Sequence, residues 1–145
     1  MQITNKFTIA VHTVVATAYF QNDYTVTSAF LTGSVGANPV VVRTVVSDLK
    51  RAEILDVSQG KTGIRIKKPL EKVTFYDVYK AIGGENEAGL FRFHDDPNEN
   101  CPVGKNIHAA LDGKLTQVER AMTEEMKKIT INDVFTDVVK IIQRQ

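Results

Sequence analysis

The sequence predicts a mainly α-helical chain that carries one small β-hairpin. Two observations point there. Apolar residues recur at spacings of three and four over most of the 145 residues, the period of a helix with one buried face. Between residues 54 and 66 that period gives way to short apolar or alternating runs around a glycine-containing tip, the pattern of two strands and a turn.

Residues 4–20 read as the first helix, with Thr4 as cap and Phe7, Ala10, Val11, Val14, Val15 and Ala18 as its stripe. Gln21-Asn22-Asp23 ends it. A second helix is expected over about 27–33, capped by Thr27. Gly33 to Gly36 then makes a turn. Asn38 is a favourable cap, and Pro39 stands at the first helical position, where its missing N–H costs nothing. The third helix runs to about residue 52. It buries Val42, Val45, Val46 and Leu49 and turns Val40, Val41, Arg43, Thr44 and Ser47 outward. Ile54 to Val57 and Ile64 to Ile66 form the hairpin, which Pro69 closes. Two helices joined by a short turn, then a hairpin, make a winged helix-turn-helix.

Residues 74–82 predict a short helix with Phe75, Val78, Tyr79 and Ile82 inward. Residues 83–104 are rich in Gly, Asn, Asp and Pro and predict a long loop. A long helix over about 105–128 follows, with Ile107, Leu111, Leu115, Val118, Met122, Met126 and Ile129 on one side. Little chain remains to cover that stripe, so Leu111, Leu115, Val118 and Met122 are candidate contacts with a second copy. A last helix from Thr130 to about Gln143 carries Val134, Phe135, Val138, Val139, Ile141 and Ile142. The expected organisation is one compact unit: a DNA-binding region (1–83), a sensor-type loop (84–104) and a helical dimerisation region (105–145).

Net charge is only +1, yet residues 1–70 hold eight Lys and Arg against four acids, so that half is +4 and the rest −3. A nucleic-acid-binding face works by displacing counterions from phosphates, which needs local rather than global charge. On a recognition helix the N-terminal side chains meet base edges. Arg43 suits guanine or a phosphate, and the valines suit thymine methyls. The candidate DNA contacts are Lys6, Thr27, Ser28, Asn38, Val40, Val41, Arg43, Thr44, Ser47, Gln59, Lys61 and Thr62. Thr27 and Ser28 start a helix whose free amides suit a phosphate, and Gln59, Lys61 and Thr62 form the wing tip. Lys50 and Arg51, at the end of the third helix, suit the DNA backbone or solvent.

Several segments resemble the Rrf2 family of bacterial regulators. ITNKFTIAVHTVVATA is similar to that family's opening, GANPVVVRTVVSDLKRAEILDVSQGKTGIRI to its recognition helix and wing, and CPVGKNIHAALDGKLTQVERAM to its entry into a long dimerisation helix. The resemblance covers nearly the whole chain. It implies a homodimer that binds a roughly palindromic operator in double-stranded DNA, usually as a repressor. The chain departs from the pattern at one place. Cluster-binding members carry three cysteines in the late loop, and this chain has only Cys101. His94, Asp95, Asp96 and His108 flank it without restoring four ligands. No iron–sulfur cluster, other cofactor or metal site is therefore expected.

Cys101 itself has three readings: a thiol redox sensor, a metal ligand with His94 or His108, or a small packing residue. No phosphate-cradling glycine loop, HExxH or CxxC is present, and no third group completes a Cys101–His108 pair, so no enzyme is expected. The competing function is a protein-binding adaptor on the same fold. No run of about 18 apolar residues spans a membrane, no signal peptide is read at MQITNKF, and one cysteine forms no internal disulfide. A cytoplasmic protein is expected.

Overall fold

The structure is a computed structural model that describes residues 5–58, 62–84, 90–91 and 93–145. Three helices form its N-terminal part: α1 (Asn5–Phe20), α2 (Ser28–Val35) and α3 (Pro39–Arg51). Strands β1 (Leu55–Val57) and β2 (Ile64–Ile66) and a 3-10 turn (Leu70–Lys72) follow. The chain then continues through α4 (Phe75–Ala81), α5 (Pro102–Met126) and α6 (Ile131–Gln143).

Helix α1 is the centre of the core. It touches α2, α3, α4, α6 and β2. Its burial is wider than the aliphatic stripe predicts, because Thr13 and Thr17 are also fully buried. Their hydroxyls donate to the carbonyls of Ile9 and Thr13, both at 2.8 Å. Back-bonding of this kind satisfies a threonine without any tertiary partner, so the residue packs as if apolar.

Helix α2 runs two residues further than the sequence suggests, with Gly33 inside it. Gly36 (φ +73°) is its left-handed cap and donates its N–H to the Thr32 carbonyl. Helices α2 and α3 meet at 117°, within the helix-turn-helix range. Asn38 caps α3 by accepting from the Val40 amide at 2.8 Å. The predicted stripe of α3 is the buried one: Val42, Val45, Val46 and Leu49.

The wing pairs Leu55 with Ile66, Asp56 with Arg65 and Val57 with Ile64, antiparallel. It is docked on the body at its second strand. The Ile64 amide donates to the Val26 carbonyl at 2.8 Å, and Ile66 N–H donates to the Gln21 side chain at 2.9 Å. Gly63 (φ +67°) permits this approach, since a Cβ there would stand 2.5 Å from the Val26 oxygen.

Helices α4 and α6 start side by side. Thr74 and Thr130 form an isolated antiparallel bridge, and each opens a helix through a capping box with Asp77 and Asp133 respectively. Ile131 is fully buried, and Val134, Phe135 and Val138 pack against the core. Thus α6, which the sequence groups with the dimerisation region, lies on α1 of its own chain. Only α5 projects. Its last turns return to the body: Met126 is buried and Met122 packs on the core. Met122, expected to face a second copy, therefore has a partner within its own chain. No single helix among the described residues is long and apolar enough to cross a membrane.

Gly63→Ala forces a left-handed φ and a backbone clash together, so it should destabilise the fold by about 1–3 kcal/mol. A urea midpoint unchanged from the parent would show that the wing does not dock this way. Thr130→Ala removes the α6 cap and should cost about 1 kcal/mol, read as a lower midpoint with an unchanged slope.

Candidate nucleic-acid interface

Helix α3 presents two exposed rows. One carries Val40 and Thr44, the other Arg43, Ser47 and Lys50. Val40 is 60% exposed, whereas Val41 leans against the core. Val41 is thus half covered: the helical spacing rotates it toward the buried stripe of α3. The exposed Thr44 hydroxyl donates to the Val40 carbonyl at 2.9 Å. Asn38 spends its side-chain oxygen on the cap.

The second row forms one wall of a cleft of about 470 Å³ between α3, the start of α2 and the wing. Thr27 and Ser28 line the opposite side, and Val57 and Ser58 line the wing side. The Thr27 hydroxyl accepts from the Phe30 amide at 3.0 Å, which leaves the first amides of α2 free of that cap. The fold thus unites Thr27 and Ser28 at the start of α2 with Arg43 and Ser47 on α3, two pairs that lie on different helices. Asn38, Val40 and Thr44 lie outside the cleft on the leading end of α3. Thr62 is exposed and its hydroxyl bonds that of Ser58. The remaining wing-tip candidates, Gln59 and Lys61, lie outside the described residues.

The positive charge of the N-terminal half divides in two. Lys6 and Arg51 both pair with Asp48 at 3.2 Å, Lys67 pairs with Glu53 at 3.3 Å, and Lys68 approaches Asp77 at 4.0 Å. Arg65 donates to the Gln21 carbonyl and the Asn22 side chain, fastening the wing to the end of α1. Lys6 is therefore a brace between α1 and α3. Arg43 and Lys50 have no ion pair or hydrogen bond among the described residues, and both face the cleft. The sequence points only to backbone or solvent for Lys50. Its spacing of seven from Arg43, two helical turns, is the signal that places them on one row.

At the other end of the molecule, α5 begins at Pro102, three residues before the predicted start, and Cys101 is its N-cap. A proline at the first helical position marks such a start. The first-turn amides of Gly104 and Val103 hold the Cys101 thiol below its ordinary pKa. The loop before it folds back on α5. Glu119 accepts from the amides of Leu90 and Phe91, and the Phe93 ring stacks on His108 at 4.4 Å. His94 meets His108 edge-on at 5.3 Å. The described residues contain no group of three His, Cys, Asp or Glu positioned to hold a metal ion.

A capped helix-turn-helix at 117°, a docked wing and a cleft with two unpaired cations define the class: a winged helix-turn-helix DNA-binding protein. Residues 3–137 match the Rrf2 family model, described as an iron-dependent transcriptional regulator, and the chain belongs to that family. It is 36% identical over 132 residues to YwnA of Bacillus subtilis (strain 168), provisionally named an HTH-type transcriptional regulator; the match covers 91% of this chain and 96% of the relative. A crystal structure described provisionally as a DNA-binding protein superposes with a TM-score of 0.70 and 32% identity, covering 89% of this chain and 97% of that one. The fold is also that of CymR, the global cysteine regulator of B. subtilis, with a TM-score of 0.66 at 13% identity, over 94% and 97% of the two chains. The family is one of transcriptional regulators, not of enzymes.

Because the first-turn amides favour the thiolate, alkylation of Cys101 by iodoacetamide should reach half its maximal rate at a lower pH than for a free thiol. A midpoint at or above the free-thiol value would remove that effect of the helix terminus.

Proposed function

We infer that this regulator binds a roughly palindromic operator as a homodimer and acts as a repressor. The observation that supports the DNA-binding surface best is the pairing pattern: the other described cations of the N-terminal half are engaged, while Arg43 and Lys50 are left on one row beside the α2 start. In this reading Val40, Arg43 and Thr44 meet base edges. Ser47, Lys50 and the α2 amides at Thr27 and Ser28 hold phosphates, with Gln59, Lys61 and Thr62 reaching from the wing. The dimer would place two such helices on successive major-groove faces, about 34 Å apart. Leu111, Leu115 and Val118 would contribute to its interface.

The family's iron-dependent description does not fit the donors of this chain. One cysteine and two loop-proximal histidines do not make the set that a cluster takes. The proposed regulator therefore works without an iron–sulfur cluster, as a cytoplasmic protein. Cys101 is the candidate for an oxidant response, on the strength of its depressed pKa.

Arg43→Ala should weaken specific operator binding by about 1–3 kcal/mol and relax preference at one base position. Lys50→Ala should weaken all duplexes alike and lower the salt slope of log K by about 0.9. Normal affinity in both variants would place the DNA surface elsewhere, and salt-independent binding would favour the adaptor reading. Protein purified without oxygen should carry no stoichiometric iron and no visible absorption band; a bound cluster would overturn the cofactor-free reading.

A further inference from the structure

The wing is a small hairpin whose attitude is set from outside. Each strand has three residues, and a two-stranded hairpin alone is at best marginally stable in water. Strand β1 packs on α3 and β2 packs on α1, so the angle of the wing to α3 depends on how β2 is held to α1. Buried Leu55 and Ile64 keep the hairpin on the core. Apolar burial has no direction of its own, and directional bonds must fix the tilt. The Val26 carbonyl supplies one such point, accepting from the Ile64 amide at 2.8 Å beside Gly63. A single point is a pivot, and a second is needed to stop rotation about it.

The second point is a latch on the residues that end α1. Arg65 donates from Nη1 to the Gln21 carbonyl at 2.9 Å and from Nη2 to the Asn22 side-chain oxygen at 3.2 Å. Returning from α1, the Gln21 side-chain oxygen accepts from the Ile66 amide at 2.9 Å. Asp56 stands directly across the hairpin from Arg65, the usual place for a cross-strand ion pair. The guanidinium turns to α1 instead, where the last carbonyls of a helix favour a cation. Next to it is a polar hollow of about 320 Å³ lined by Asn22, Asp23, Thr62 and Arg65. That space lets the hairpin tilt without a clash once the guanidinium is gone.

We propose that Arg65 and Gln21 are positioning residues for DNA binding, which together fix the wing at the angle where it meets the duplex beside the site read by α3. This rests on the reading that α3 and the wing both face DNA, and deepens it. An arginine on a wing is the natural candidate for a phosphate contact, yet here its donors are spent inside the protein. Its contribution is pre-organisation: a wing already set at its bound angle loses less freedom on binding.

The probe is a duplex that the parent protein selects from a random pool, footprinted with hydroxyl radicals at saturating protein. The parent should protect the α3 site and the flanks on which the wing lies. Arg65→Ala and Gln21→Ala should each weaken binding about tenfold and lose protection on the flanks alone, with unchanged far-ultraviolet circular dichroism. Gln21→Ala removes no charge, so it separates position from electrostatics. A silent Gln21→Ala beside an Arg65→Ala whose salt slope falls by about 0.9 would make Arg65 a phosphate contact and overturn the latch. Protection lost evenly over the whole site would assign both residues to folding in general and overturn it too. A parent footprint without flanks would take the wing off the DNA, and this proposal with it, while leaving α3 as the reader. Failure to select any duplex would remove the DNA-binding reading itself.

Discussion

The burial of α1 on nearly every side is the constraint from which the rest of the structure follows. A helix surrounded by α2, α3, α4, α6 and β2 needs apolar or self-satisfied residues around most of its circumference. Thr13 and Thr17 meet that need by bonding to their own helix. Once α1 is held, α3 can bury only one stripe against it, and that decides which side chains remain for DNA. The wing is then fastened to the end of α1 by Arg65 and Gln21, and to the segment before α2 by Ile64 on Val26.

This arrangement separates cations that brace from cations that are free to act. An Arg or Lys that already pairs with a carboxylate releases less on meeting a phosphate, because the existing partner must be exchanged. Asp48 illustrates the point, taking both Lys6 and Arg51. Arg51 stands mostly in solvent while Asp48 is largely covered, and ion pairs at such a surface contribute little to stability. Their consequence is positional: they leave Arg43 and Lys50 as the unpaired row beside the α2 amides. The charge asymmetry of the sequence is thus an accurate pointer to the half and a poor pointer to the residues.

The C-terminal part shows a related division. Helices α5 and α6 have similar apolar patterns in sequence, and both read as material for an interface. The bridge at Thr74 and Thr130, with its two capping boxes, turns α6 back onto α1 and gives it a partner within the chain. Among the described residues, helix α5 receives such cover at Met122 and Met126 and along the edge beneath the loop. Periodicity reports that a helix has an apolar face. Whether that face meets its own chain or another depends on where the preceding turn aims it.

Read alone, the sequence determined the order and type of the six helices and two strands, though not the 3-10 turn at Leu70–Lys72, since local periods, caps and turn residues act over a few residues. Asn38-Pro39 and the Gly36 cap are sufficient to mark the helix-turn-helix, and the residues of the Rrf2 resemblance lie in those same segments. The lone Cys101 likewise settles, by count, that three thiolates cannot meet in one chain. Tertiary structure alone decided that Lys6 and Arg65 are braces and that the row of Arg43 and Lys50 faces Thr27 across a cleft. It also decided that an apolar groove opens between α1 and α6. These are distances between residues far apart in the chain, and such distances come from packing around α1 rather than from any local pattern.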